Sequence, residues 1–216
     1  PLAAAAGVPH ANPIIGVVSA DPNLGKYNSI FANKVCLLEE REPEGASDNT
    51  PKMIRNMVKD NDYNVDARAF LKARLLDLLI GDWDRHSDQW RWYGEKKGDD
   101  EIYAPVPRDR DQVFYTNQGV LPYLAARSWL APNLQGFGGK IKDIRYSLWK
   151  SMFLDRYPAA QISHAEWTAI VEDFVKAETD EVLEAGLKRL PESAYKLRHD
   201  VLLQQLKDRR ASIPAE

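Results

Sequence analysis

The chain has 216 residues, 44% of them hydrophobic and 28% charged, with a formal net charge of −3 at pH 7. That length can bury a full core, and the balance is that of a globular protein rather than a disordered or fibrous one. The small negative charge gives no reason to expect nucleic acid or an anionic membrane as the general partner, a lone cysteine (Cys36) leaves no intrachain disulfide or cysteine-based zinc site, and no apolar run is long enough to span a membrane.

Residues 1–26 are rich in Ala, Pro, Gly and Asn. They predict a short helix over Leu2–Ala6, an extended piece at Ile14–Ser19 and a turn at Asp21–Gly25. Phe31–Glu40 (FANKVCLLEE) is an apolar run read as a buried strand, and the polar Arg41–Asn49 as a loop. Thr50-Pro51 is a helix start, with the hydroxyl as cap and Pro at the first helical position, for a helix over Lys52–Asp60. Asp66–Ile80 is the strongest helix, apolar on more than one face in its second half and stopped by Gly81, so it should be central and buried. Gln89–Tyr93 and Ile102–Val106 alternate as strands of a hairpin around a polar turn at Gly94–Glu101. Beyond Phe114 the pattern gives a short helix at Pro122–Trp129 and a mobile loop at Ala131–Lys140. The tail is helical: Asp143–Asp155, then Ala165–Lys176 opened by a Ser163/Glu166 capping box, a turn opened by Thr179 or Asp180, and Ala194–Arg210. The expected fold class is therefore α+β and predominantly helical.

Chemistry concentrates between Gly81 and Phe114 (GDWDRHSDQWRWYGEKKGDDEIYAPVPRDRDQVF). Asp82, Asp84, His86 and Asp88 occupy alternate positions just beyond the core helix. The chain then returns through the hairpin to Arg108, Asp109, Arg110 and Asp111. Gln89 lies five positions after Asp84, and Asp109 follows the hairpin. A carboxylate, an amide at fixed spacing and a second carboxylate beyond a hairpin are the parts a phosphoryl-transfer site needs: a proton acceptor for the attacking hydroxyl, and oxygen ligands for a divalent cation. Carboxylate and amide oxygens suit Mg²⁺ or Mn²⁺ rather than a soft metal.

On the words GDWDRHSDQW and PRDRDQVF, the chain resembles a kinase-like family of envelope proteins from Bacteroidetes and related bacteria. The likeness extends over Leu2–Pro13, Leu24–Pro43 and the Trp167–Arg210 helices. More distantly, the same words are similar to type II phosphatidylinositol 4-kinases and secretory-pathway kinases. The resemblance implies a protein-kinase-like C-lobe with a short catalytic β-hairpin. Residues 1–45 would be the end of an incomplete N-lobe with its hinge strand, and residues 46–216 the helical C-lobe. It implies Asp84 as catalytic base with Arg85 beside it, Gln89, Asp109 and Asp111 as metal ligands, and Phe114 as the closing aromatic. Cys36, Leu38 and Glu40 would lie near the adenine of ATP. Gln89 stands where the related kinases carry Asn. No glycine-rich phosphate loop or strand-borne Lys precedes Phe31, so the nucleotide loop is expected upstream of Pro1.

The resemblance further implies an ATP- and Mg-dependent phosphotransferase with an unidentified phosphate acceptor, in the periplasm or at the cell surface, tethered to a membrane or a neighbouring domain. Two other readings stay open. One is a pseudokinase or binding module of the envelope. The other is a metal-dependent phosphoester hydrolase built on Asp82, Asp84 and His86 with Asp109 and Asp111.

Overall fold

One buried helix positions everything else. In the structure, a computed structural model that describes every residue except 41, 128, 132 and 133 and the side chain of Tyr146, helix α4 spans Ala67–Ile80. Asp66 caps it, its carboxylate accepting from the Ala69 N–H at 2.9 Å. Gly81 ends it in the left-handed region at φ 73°, where a residue without Cβ carries no steric penalty. Leu75, Leu76, Leu78, Leu79 and Ile80 all lie in the core, each contributing about 1.5–3 kcal/mol through burial. The apolar stripe wraps the helix because neighbours cover it on all sides.

On one side sits a four-stranded sheet in the order β3 (Asp48–Asn49), β5 (Trp90–Lys97), β6 (Asp100–Pro107), β4 (Tyr63–Val65). The β5–β6 hairpin is antiparallel, and Lys97 faces Asp100 across a two-residue turn, Gly98-Asp99, tighter than the turn expected. Strand β4 joins β6 in parallel. The pleat sends Trp90 and Trp92 to one face, where their rings stack on Phe70 of α4 at 5.0 and 6.1 Å. The outer strands β3 and β4 are two and three residues long, too short to show as alternation in sequence.

Helix α3 (Thr50–Lys59) is capped by Asn49, which accepts from the Lys52 N–H at 2.9 Å. Thr50, expected as the cap, is instead the first helical residue. Its hydroxyl is buried and shared: it donates to the Ser87 carbonyl at 2.7 Å and accepts from the Trp92 indole at 3.0 Å. Asn outranks Thr as a cap, and the tertiary hydrogen bonds hold Thr50 elsewhere.

The other side of α4 is helical. The expected helix over Asp143–Asp155 breaks at Leu148 into α6 (Ile144–Ser147), a 3₁₀ turn at Trp149–Ser151 and α7 (Met152–Ala159). The tail continues as α8 (His164–Ala177), with the Ser163/Glu166 capping box, α9 (Asp180–Leu187), capped by Thr179, and α10 (Glu192–Ser212). A one-turn helix α1 (Leu2–Ala5) packs on α9, and Ala6 and Val8 enter the common core. Helix makes up 51% of the chain and strand 14%, so the fold is α+β and predominantly helical.

Residues 14–38 stand apart. Strands β1 (Ile14–Val17) and β2 (Val35–Leu38) form a two-stranded antiparallel ribbon, linked by a 3₁₀ segment at Pro22–Tyr27 and the one-turn helix α2 (Asn28–Phe31). Phe31–Glu40 was expected to be a buried strand. It is corrected here: only its middle is strand, and Val35 and Leu38 are 73% and 71% exposed. A ribbon of two strands has no third strand to bury it. A short helix α5 (Val120–Ala125) falls earlier than the expected Pro122–Trp129, a span that includes Ser128, outside the described residues. Likewise Arg41 of the Arg41–Asn49 loop, and Pro132 and Asn133 of the Ala131–Lys140 loop, lie outside them.

Candidate functional site

Where α4 ends, buried charge collects. Asp77 is on the last turn of α4 and is fully enclosed. Arg85 reaches it with two bonds, Nε to Oδ2 and Nη2 to Oδ1, both 3.2 Å. Arg74 donates to it at 3.0 Å, and Arg110 stands 3.9 Å away. Burial alone would raise the Asp77 pKa; the three guanidinium groups overcome it and hold the carboxyl below its usual range. Arg74 also grips Asp155 of α7 through Nε at 2.9 Å, so the network ties α4 to the helical side. Asp82 is buried too and bonded to Arg85 through one oxygen. Its other oxygen, Oδ1, has no partner among the described residues. Burial, then repulsion from Asp77, pushes the Asp82 pKa up to about 6.

Arg85, expected at the catalytic position beside Asp84, is therefore a buried keystone. Besides Asp77 and Asp82 it donates to the Arg108 carbonyl, and the Arg108 N–H returns to the Gln89 carbonyl at 2.8 Å. The stretch after α4 and the stretch after β6 are thus brought together, as the sequence suggested, by one guanidinium. Asp84 points elsewhere, to an ion pair with Lys150 in the 3₁₀ turn before α7. Gln89 is buried and closes a small capping box with His86. Its Oε1 accepts from the His86 N–H at 3.4 Å, while the His86 imidazole accepts from the Asp88 N–H at 3.3 Å. Both side chains brace the Asp84 loop.

Asp109 and Asp111 differ from every acid described so far. Both are exposed, and neither forms an ion pair with a described residue. Asp109 takes a left-handed φ of 52°, and Phe114 one of 57°, a conformation that costs an aromatic residue strain. Phe114 is pinned there by its N–H, 3.3 Å from the Ile80 carbonyl, and by an edge-on contact with Phe137 at 5.0 Å. Phe137 also lies over Gly81, where a Cβ would meet its ring at 2.7 Å. The turn between hairpin and Phe114 is held at both ends and free in the middle.

Across from that turn runs the ribbon. A cleft of about 290 Å³ is lined by Leu37 and Glu39 on one wall and by Arg108, Asp109, Arg110 and Asp111 on the other. Strand side chains alternate, so Leu37 and Glu39 face the turn, and Cys36, Leu38 and Glu40, the residues expected near a nucleotide, fall at the alternate positions. The Nε atoms of Arg108 and Arg110 are buried and unpaired among the described residues. As a cation site the turn offers two carboxylates, and a bound polyanion would supply the remaining oxygens. Among the described residues no three His, Cys, Asp or Glu side chains come together as a ligand set, and Asp82, Asp84 and His86 are each engaged separately.

No protein-family model, curated protein or solved structure matches the chain. The geometry stands alone. It also adds residues that the sequence reading passed over. Asp77 was visible as a charge inside LLDLLI, an apolar stretch where a carboxylate must find a cation. Lys150 and Asp155, more than sixty residues away from their partners, gave no local signal.

Proposed function

We propose that the chain is the larger lobe of a kinase-like phosphotransferase. The cleft between the ribbon and the Arg108–Asp111 turn would receive a nucleoside triphosphate, such as ATP, with Mg²⁺ or Mn²⁺. The single observation that carries this reading is that Asp109 and Asp111, both exposed and without an ion-pair partner among the described residues, line a cleft whose opposite wall includes Leu37 of strand β2. Asp109 and Asp111 would hold the cation, which neutralises phosphate charge and orients the transferred group. Arg108 and Arg110 line the same cleft, and their positive charge would draw phosphate oxygens toward it. Asp84 would accept the proton of an incoming hydroxyl, and its ion pair with Lys150 fixes the direction in which that carboxylate points. Arg85 is a positioning residue: it fixes the Asp84 loop to the Arg108 backbone. Gln89 would have to release the His86 amide before reaching a cation.

The pairing of Asp84 with Lys150 and the engagement of Gln89 favour a second reading, a pseudokinase or binding module of the cell envelope that takes a nucleotide without turnover. Titration calorimetry with a non-hydrolysable ATP analogue, with and without Mg²⁺, on this chain and on a form extended upstream of Pro1, tests both. The phosphotransferase reading expects Mg-dependent binding that falls at least about tenfold in Asp109→Ala, followed by ATP turnover. Binding without turnover supports the module. No binding in either form overturns the nucleotide site.

A further inference from the structure

The stretch following Phe114 presents a surface that the cleft does not use. Val120, Leu121 and Tyr123 of α5 and Trp129 beyond it are 62–79% exposed, and Leu124 and Leu130 are also open to solvent. They form one patch, because the Ala131 N–H bonds back to the Ala125 carbonyl at 3.0 Å and folds the Trp129–Leu130 turn against the end of α5. Isolated exposed apolar side chains are ordinary; a contiguous cluster of six large ones marks an interaction surface.

Its charge decides the partner. From Gln112 to Lys142 the sequence contains no Asp or Glu, in a chain with 32 acidic residues, while Arg127, Lys140 and Lys142 fall inside it. All three basic residues are exposed. Lys142 shares a groove with Val120, Pro122 and Tyr123, and the Arg127 guanidinium lies 4.3 Å over the Tyr123 ring. Acids border only the far end of the stretch: Asp143 pairs with Arg145 at 3.6 Å, Asp208 lies beside Gly139, and Asp77 and Asp82, held by arginines, share a pocket with Lys140 and Lys142. An aliphatic cluster with one Trp and one Tyr, flanked by Arg127 and Lys142 and built from a stretch with no acidic residue of its own, matches an anionic lipid surface, where rings sit at headgroup level, aliphatic groups enter the acyl boundary and cations meet phosphate.

We propose that this patch docks the protein onto an anionic bilayer surface, lying on it rather than crossing it. A protein partner with an acidic rim would meet the same cations, and the test below separates the two. The proposal does not depend on phosphotransfer.

Vesicle flotation of the whole chain tests it, comparing neutral phosphatidylcholine vesicles with vesicles containing about 30% phosphatidylglycerol. Flotation with the anionic vesicles is expected, weakening as salt rises. The double variant Leu121→Asp/Trp129→Asp should lower the bound fraction at least about tenfold. It should melt at the wild-type temperature, because both side chains are 79% exposed. Lys140→Glu/Lys142→Glu should lose the preference for anionic lipid. Val58→Asp, equally exposed on α3 at 82%, should float like the wild type. Equal flotation with both vesicles would overturn the commitment to an anionic surface. Absence of wild-type flotation, or flotation undiminished in Leu121→Asp/Trp129→Asp, would overturn the docking site, and concentration-dependent dimers without flotation would give the patch to a second protein.

Discussion

Asp77 is the residue on which the site's frame depends most. Among the described residues it is the one carboxylate that meets Arg74, Arg85 and Arg110 together. Removing one partner from a buried ion cluster costs more than the cluster contributes, because the remaining charges stay desolvated. Asp77→Asn, nearly the same shape, should therefore destabilise the protein by about 3–5 kcal/mol. Asp155→Asn loses only the Arg74 contact at a site one-quarter exposed and should cost about 1 kcal/mol. Urea denaturation of the two variants at pH 7 checks the contrast. At this scale the sequence was only partly legible. Asp84, Asp109 and Asp111 stood out through spacing, yet nothing local distinguished Asp84, held by a lysine sixty-six positions later, from Asp109, left free. Pairing over such separations is a property of the fold.

Among the elements, those with their own caps and periodicity were readable: α4 with Asp66 and Gly81, α8 with its Ser163/Glu166 box, the β5–β6 hairpin. Those decided by neighbours were not, such as β3 and β4, which exist only because β5 and β6 offer them edges. Glu178, just past the end of α8, is an element-scale feature of another kind. Its side chain is fully buried, and both carboxylate oxygens lack a hydrogen-bond partner among the described residues. Burial pushes its pKa up to about 7, against 4.5 for a free glutamate. A carboxyl whose folded pKa is raised binds its proton more tightly when folded, so the wild type loses stability as pH climbs from about 4.5 to about 7. Glu178→Gln removes the titrating group. Relative to wild type it should gain about 1–3 kcal/mol between pH 4.5 and pH 8, seen as a melting-temperature difference that widens with pH. A gap of constant size across that range would show that Glu178 does not titrate there.

At the scale of the whole molecule, the protein is one large core with a thin appendage. The ribbon has apolar side chains exposed on both faces and few packing partners beyond its own strands. Local stability follows burial, so amides at residues 14–17 and 35–38 should exchange with deuterium at least about a hundredfold faster than those of α4. Binding of nucleotide in the cleft should slow the β2 amides selectively. Exchange followed by mass spectrometry measures both. The apolar run at Phe31–Glu40 misled here because hydrophobicity indicates a preference for cover, not its presence. The core itself is closed from far along the chain. Arg209 of α10 is buried and donates to the Leu78 and Leu79 carbonyls at the end of α4, each 3.0 Å from Nε, and to the Gly138 carbonyl at 3.1 Å, with its guanidinium 5.0 Å over Phe137. Those carbonyls are the orphans that any helix leaves at its C-terminal end. The chain thus seals its middle with a side chain made some 130 residues later. On a ribosome, Gly81 and the acidic stretch behind it emerge long before their lock, and a nascent chain halted short of residue 209 would display the acidic loops while leaving them unfastened.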